Sequence, residues 1–273
     1  MAASMSLLPG PDPSYRFLPG GEPYSSGAVA TPGWEVIHAT LQAPVPWREG
    51  FAAIERHLRA LGRPRTALCA IELRIPTPLT FAGFAEFNRG YRALLGEWGL
   101  LVDGRNPVAR TNVAPVVGPP AEPSLYAFSY TVAADEAGGP TFVAAGSGEL
   151  RPGPASRASV VRPDETSADA LREKAAHVMG VMQARLTGLG ATWADVTAVG
   201  VYTVHPLESF LATEVLAAMG PAGTHGVHWY LSHPPIAGLA YEMDLRGVRR
   251  EVRLPAPGPQ AEGRRSNPDV KQG

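Results

Sequence analysis

Asn106–Tyr130 reads NPVARTNVAPVVGPPAEPSLYAFSY, and its interpretation decides the fold. Two apolar runs rich in β-branched and aromatic residues, Ala109–Val117 and Ser124–Ala133, flank a turn built on Gly118-Pro119-Pro120, so both are expected as strands. Between Val108 and Gly118 the one charged side chain is Arg110. A guanidinium offers a planar fork of donors that fits a carboxylate in bidentate fashion. The competing interpretation is an arginine at a strand edge whose stem lies along apolar surface while its head reaches water.

Working back from this stretch, Trp34–Gln42 and Ala67–Ile75 are expected strands, each bounded by prolines. Between them Trp47, Phe51, Ile54, Leu58 and Leu61 recur at steps of four, three, four and three, the stripe of an amphipathic helix. Phe84, Phe87, Tyr91, Leu95 and Trp98 mark a second helix that stops near Gly99. Residues 1–19 have no sustained period and are expected as a flexible lead-in.

Beyond the turn-rich Asp135–Pro140 the same order returns. Thr141–Gly146 is an expected strand, and Leu171, Ala175, Val178, Met182, Leu186 and Leu189 mark a long helix between Ser167 and Gly190. Thr197–Val204 is an expected strand, Leu207–Met219 a shorter helix, and Val227–Leu231 and Gly238–Gly247 closing strands. From Pro255 no apolar periodicity remains, and residues 255–273 are expected to be disordered. The repeat of element order, at a period of about 120 residues, implies two α+β units in tandem, 20–136 and 137–254.

Composition narrows the function. The 273 residues carry a net charge of -1 and a pI near 6.7, giving no basic field for nucleic acid. No apolar run reaches the length of a membrane span, and the first residues lack the layout of a signal peptide, so a cytoplasmic protein is expected. The single cysteine, Cys69, lies in the apolar TALCAIEL and is expected as a small core residue. His225, His228 and His233 share one segment with Trp229 and Tyr230, but strand geometry turns 228 and 233 to opposite faces. No cysteine or paired carboxylate completes a ligand set, so neither a metal nor another cofactor is expected.

The two halves resemble the RidA/YjgF family. Pro23-Tyr24-Ser25, WEVIHATLQAP, FAGFAEFNRGY and PVARTNVAP carry the likeness in the first half. TFVAAGSGEL, GLGATWADVTAVGVYTV and PPIAGLAYEMDLRG carry it in the second. The resemblance implies two chorismate-mutase-like units, each a mixed sheet covered on one face by two helices, assembled as a homotrimer. It also implies an enamine or imine deaminase that grips a small carboxylate. Arg110 falls on the family's carboxylate-binding arginine and Glu242 near its glutamate, while Asn112 stands where cysteine is frequent and Tyr126 where the first half would carry the glutamate. Tyr24, Ser25 and Asn88 would then line the pocket, with Trp229 as a further wall. Glu242 would aim water at a C=N carbon, or Tyr126 would donate to the developing charge. Since each half keeps only part of that site, two other outcomes stay open. One is a hydrolase like the chorismatases, which also look like tandem units of this type; the other is a non-catalytic binder of small molecules.

Overall fold

The computed structural model describes residues 6–21, 23–135 and 138–255. Its strands are β1 (Leu8–Pro9), β2 (Tyr15–Leu18), β3 (Gly27–Ala30), β4 (Trp34–Pro46), β5 (Leu68–Arg74), β6 (Ala109–Pro115), β7 (Ser124–Ala133), β8 (Phe142–Gly148), β9 (Ala198–Tyr202), β10 (His228–Tyr230), β11 (Ser232–His233), β12 (Glu242–Gly247) and β13 (Arg250–Leu254). The α-helices are α1 (Trp47–Ala60), α2 (Phe81–Glu97), α3 (Ala168–Leu189) and the short α4 (Ala217–Met219). Two sheets form, a seven-stranded one in the order β1-β2-β3-β8-β12-β9-β10 and a six-stranded one in the order β11-β6-β5-β7-β4-β13.

The sheets lie face to face. Tyr15, Ala28 and Val143 of one pack against Val36, Cys69 and Ala109 of the other in a single buried cluster. On the outer face of the six-stranded sheet, Phe51, Ile54 and Leu58 of α1 and Tyr91 and Leu95 of α2 cover Ile37, Leu73 and Phe128. Met182, Leu186 and other residues of α3 do the same for Phe142, Val201 and Met243. Farther along, the layer between the sheets turns polar. There His38, Arg74 and Asp244 are buried, with Arg74 Nη2 donating to Glu72 Oε2 at 3.2 Å.

Two independent tandem units are not what forms. The seven-stranded sheet takes β1–β3 from the N-terminal part of the chain, and the six-stranded sheet takes β11 and β13 from the C-terminal part. β13 runs parallel to β4, pairing Arg250 with Ile37 and Leu254 with Leu41. Order along the chain does not dictate which edge a strand joins, so a similar run of elements in each half does not make two units. The expected lead-in also contains structure: Gly10 donates to the Tyr15 carbonyl at 3.0 Å, and Tyr15 and Phe17 are fully buried. Residues 256–273, most of the expected disordered tail, lie outside the described residues.

Local signals account for most boundaries. The Thr80 hydroxyl accepts from Gly83 N at 3.0 Å to start α2, and Ser167 accepts from Ala170 N at 3.2 Å to start α3. Gly190, at φ 73°, closes α3 in the left-handed conformation that a side chain disfavours. β4 runs through Pro44, its pairing with β7 shifting register between Thr40 and Val45. Where one helix was expected over Leu207–Met219, the chain forms a π-helical segment, Leu211–Leu216, before α4. The buried residues explain it: Phe210 and Val215 are five apart, a step that shares a face only when the turn is widened.

Candidate active site

β6 supplies two neighbours on one face, Arg110 and Asn112, because residues two apart on a strand point the same way. They line a cleft of about 80 Å³ together with Tyr24, Phe84, Leu239 and Glu242. Arg110 is 3 % exposed. Its Nη2 donates to Asn88 Oδ1 at 2.6 Å, fixing the guanidinium against α2. Rings surround it, with centroids of Tyr91 at 4.7 Å, Tyr24 at 5.1 Å, Phe87 at 5.4 Å and Phe84 at 5.5 Å from the guanidinium carbon. Arg110 Nη1 and both polar atoms of the Asn112 amide are buried with no hydrogen-bond partner. Buried donors are normally satisfied, so a cluster of unsatisfied ones around a cleft marks where a ligand's acceptors belong.

Glu242 opens β12, where Glu242, Asp244 and Arg246 alternate with Met243 and Leu245. The apolar pair packs beneath α3 and the charged set faces the layer between the sheets. Gly146 of β8 makes room for Glu242: a β-carbon there would collide with Glu242 Oε1 and press on Thr111. Burial pushes the Glu242 carboxyl well above the usual carboxylate range, and the charges of Asp244 and Glu149 push the same way, outweighing Arg185 and Arg110. Both causes favour the protonated form of Glu242. The start of β12 is held by Glu149, whose carboxylate accepts from Ala240 N at 2.6 Å, Tyr241 N at 3.1 Å and Lys174 Nζ at 3.1 Å.

The remaining expected site residues go elsewhere. Ser25 is buried with its hydroxyl donating to the Pro107 carbonyl at 2.9 Å, which ties the Tyr24 turn to the approach of β6. Tyr126 stands apart from Arg110. It lines a second cleft, of about 110 Å³, with His38, Glu72 and Tyr230, and the Arg74 guanidinium lies 3.9 Å from its ring centre. Strand order separates the two: β5 stands between β6, which carries Arg110, and β7, which carries Tyr126. Trp229 is half-exposed and donates through Nε1 to the Thr203 carbonyl at 3.0 Å, outside the Arg110 cleft. His228 borders the second cleft, His233 pairs with Ala114, and His225 ends a 3-10 turn. Among the described residues no three His, Cys, Asp or Glu side chains are grouped as a metal would require, and no helix is long and apolar enough to cross a membrane.

Residues 8–252 match the family described as 2-aminomuconate deaminase CnbZ. The chain belongs to this deaminase family. A 2-amino-5-chloromuconate deaminase of Comamonas testosteroni is 43 % identical over 242 residues, covering 88 % of this chain and 96 % of the relative. A chorismatase crystal structure aligns with a TM-score of 0.43 at 13 % identity, over 87 % of this chain and 78 % of that one. The membership overturns the expected place in the RidA/YjgF family, and with it goes the basis for a homotrimer. The motifs behind that resemblance were short and degenerate, and they describe a proline-led strand and a helix with an inward polar residue as well as they describe any one family. Membership also makes the chain an enzyme of the deaminase class rather than a passive binder.

One residue of this deaminase's site surroundings escaped the sequence reading. Arg185 of α3 donates through Nη1 to the carbonyls of Ala145 at 2.5 Å and Gly146 at 3.3 Å. The only trace in the sequence is a charge flanking the buried stripe of Met182, Leu186 and Leu189.

Proposed function

We propose that the Arg110–Glu242 cleft hydrolyses the enamine of a 2-aminomuconate-type acid, releasing ammonia and leaving a 2-oxo acid. The observation that carries this reading is the set of unsatisfied donors, Arg110 Nη1 and the Asn112 amide, in the same cleft as Glu242, whose burial favours the protonated carboxyl. The Arg110 fork and the Asn112 amide nitrogen take the carboxylate next to the amine-bearing carbon. Glu242 gives its proton to the enamine carbon, so that the nitrogen lone pair forms a C=N bond. The resulting carboxylate removes a proton from water as the water oxygen bonds to the C=N carbon and the C=N electron pair returns to nitrogen. That proton passes to the nitrogen, and as the C–N bond breaks to free ammonia the new hydroxyl returns its proton to the Glu242 carboxylate, leaving the carbonyl. The name of the Comamonas testosteroni relative supports the substrate class.

The test is ammonia release from freshly prepared 2-aminomuconate. Glu242→Gln should lower kcat by roughly 10²–10⁴-fold, the usual weight of one positioned acid–base group. Arg110→Ala, which removes charge-assisted bonds to a buried anion, should raise KM by about ten- to a hundred-fold. Turnover at wild-type rates by both variants would sink the proposal.

A further inference from the structure

We infer that Arg185 is a second carboxylate anchor, which makes the cleft selective for dicarboxylates by gripping the acid group remote from the amine. This deepens the deaminase reading above and rests on it. Arg185 reaches from α3 to the end of β8, where Gly146 forms part of the cleft wall, and its Nη1 is held there by two carbonyl oxygens. Carbonyls orient a guanidinium without neutralising it. Among the described residues neither Arg185 nor Arg110 forms an ion pair with a carboxylate. The Nε and Nη2 edge of Arg185 makes no hydrogen bond among them either, and an edge of two parallel donors is the geometry that takes a carboxylate side-on.

The two arginines share one electrostatic neighbourhood. Burial pushes both guanidinium groups below their ordinary values, and Tyr24 and Glu242 oppose that shift in each. Tyr24 and Glu242 both line the cleft. Arg110 lines the cleft and Arg185 stands against its Gly146 wall, and neither donates to a carboxylate among the described residues. A monocarboxylate balances one of them; a diene with a carboxylate at each end balances both. Arg185 is partly exposed, so its open donor edge can be reached by a ligand that completes the ion pair the fold leaves open.

The experiment compares two unreactive probes, muconate with two carboxylates and sorbate with one, by titration calorimetry and thermal shift. Wild type should bind muconate more tightly than sorbate. In Arg185→Gln the ratio of the two affinities should collapse by about ten- to a hundred-fold, the worth of charge-assisted hydrogen bonds to one carboxylate. Arg185→Lys, which keeps the charge, should restore part of the preference and guards against a folding defect in the glutamine variant. In turnover of 2-aminomuconate the loss should fall on KM rather than kcat. An undiminished muconate preference in Arg185→Gln overturns the inference, while the deaminase reading survives if Arg110→Gln loses both probes. If Arg110→Gln keeps both, the reading itself fails and the inference with it.

Discussion

In the proposed reaction the chemistry rests on one proton, that of Glu242. Its carboxyl lies well above the ordinary value near 4.5, so the folded state holds that proton more tightly than the unfolded chain does. The stability this contributes is complete below the unfolded value and is lost as pH rises through the raised folded value. Asp244, pushed up to about 6 mainly by burial, acts in the same direction, and the hydroxyls of Thr111 and Tyr202 donate to its Oδ2 at 2.6 and 3.0 Å. Wild-type Tm should therefore fall as pH is raised from about 5 to 9, and Glu242→Gln, which cannot ionise, should show a shallower fall that retains the Asp244 part. Parallel Tm–pH curves for the two proteins would contradict the assignment of a protonated Glu242. At this scale the sequence was legible in one place for a physical reason: Arg110 is the lone charge on an apolar strand. Arg185 was not legible, because a charge beside a helix stripe looks like any solvated flank until the sheet end it touches is known.

Among the elements, the turn into β12 is fixed by an ion pair that has left water altogether. Glu149 and Lys174 are 0 % and 1 % exposed, and Lys174 Nζ also donates to the Val161 carbonyl at 2.8 Å. The desolvation cost of the pair is offset only while both members remain. Replacing Glu149 with Ala would strand the ammonium and free the amides of Ala240 and Tyr241, one and two residues before Glu242. Urea unfolding should show a loss of about 3–5 kcal/mol. A change under about 1 kcal/mol would mean that the pair is not holding the turn. The elements themselves were largely visible in the sequence, because periodicity and caps are local. The π-helical segment at Leu211–Leu216 was missed since its signal is a five-residue step between buried residues, and burial is not a local property.

Over the whole molecule, each sheet is assembled from both ends of the chain. Residues 6–135 alone would lack β13 beside β4, and their strands β1–β3 would lose β8. Residues 138–255 alone would leave β8 without β3 and expose the apolar face that Ala28 and Val36 cover. Each fragment would expose unpaired edges and half an interlayer core. Expressed separately, the two should therefore be unfolded or aggregated by circular dichroism and sedimentation, and co-expression should recover a 1:1 complex. A cooperative thermal transition in either fragment by itself would show that the halves are independent domains after all.

The sequence by itself determined the strands and helices of the middle of each half, a net charge close to zero, the lack of an apolar run as long as a membrane-spanning helix, and Arg110 as the residue to watch. These depend on side-chain period, turn chemistry and charge, all of which are written within a few residues of one another. The tertiary structure alone decided that Leu8–Ala30 joins the C-terminal strands, that Arg250–Leu254 returns to β4, and that Tyr126 and Arg110 belong to different clefts. It alone set the burial of Glu242 and the reach of Arg185. Strand pairing, desolvation and charge proximity are relations between residues far apart in the chain, and their energies exist only once the two sheets have closed on each other.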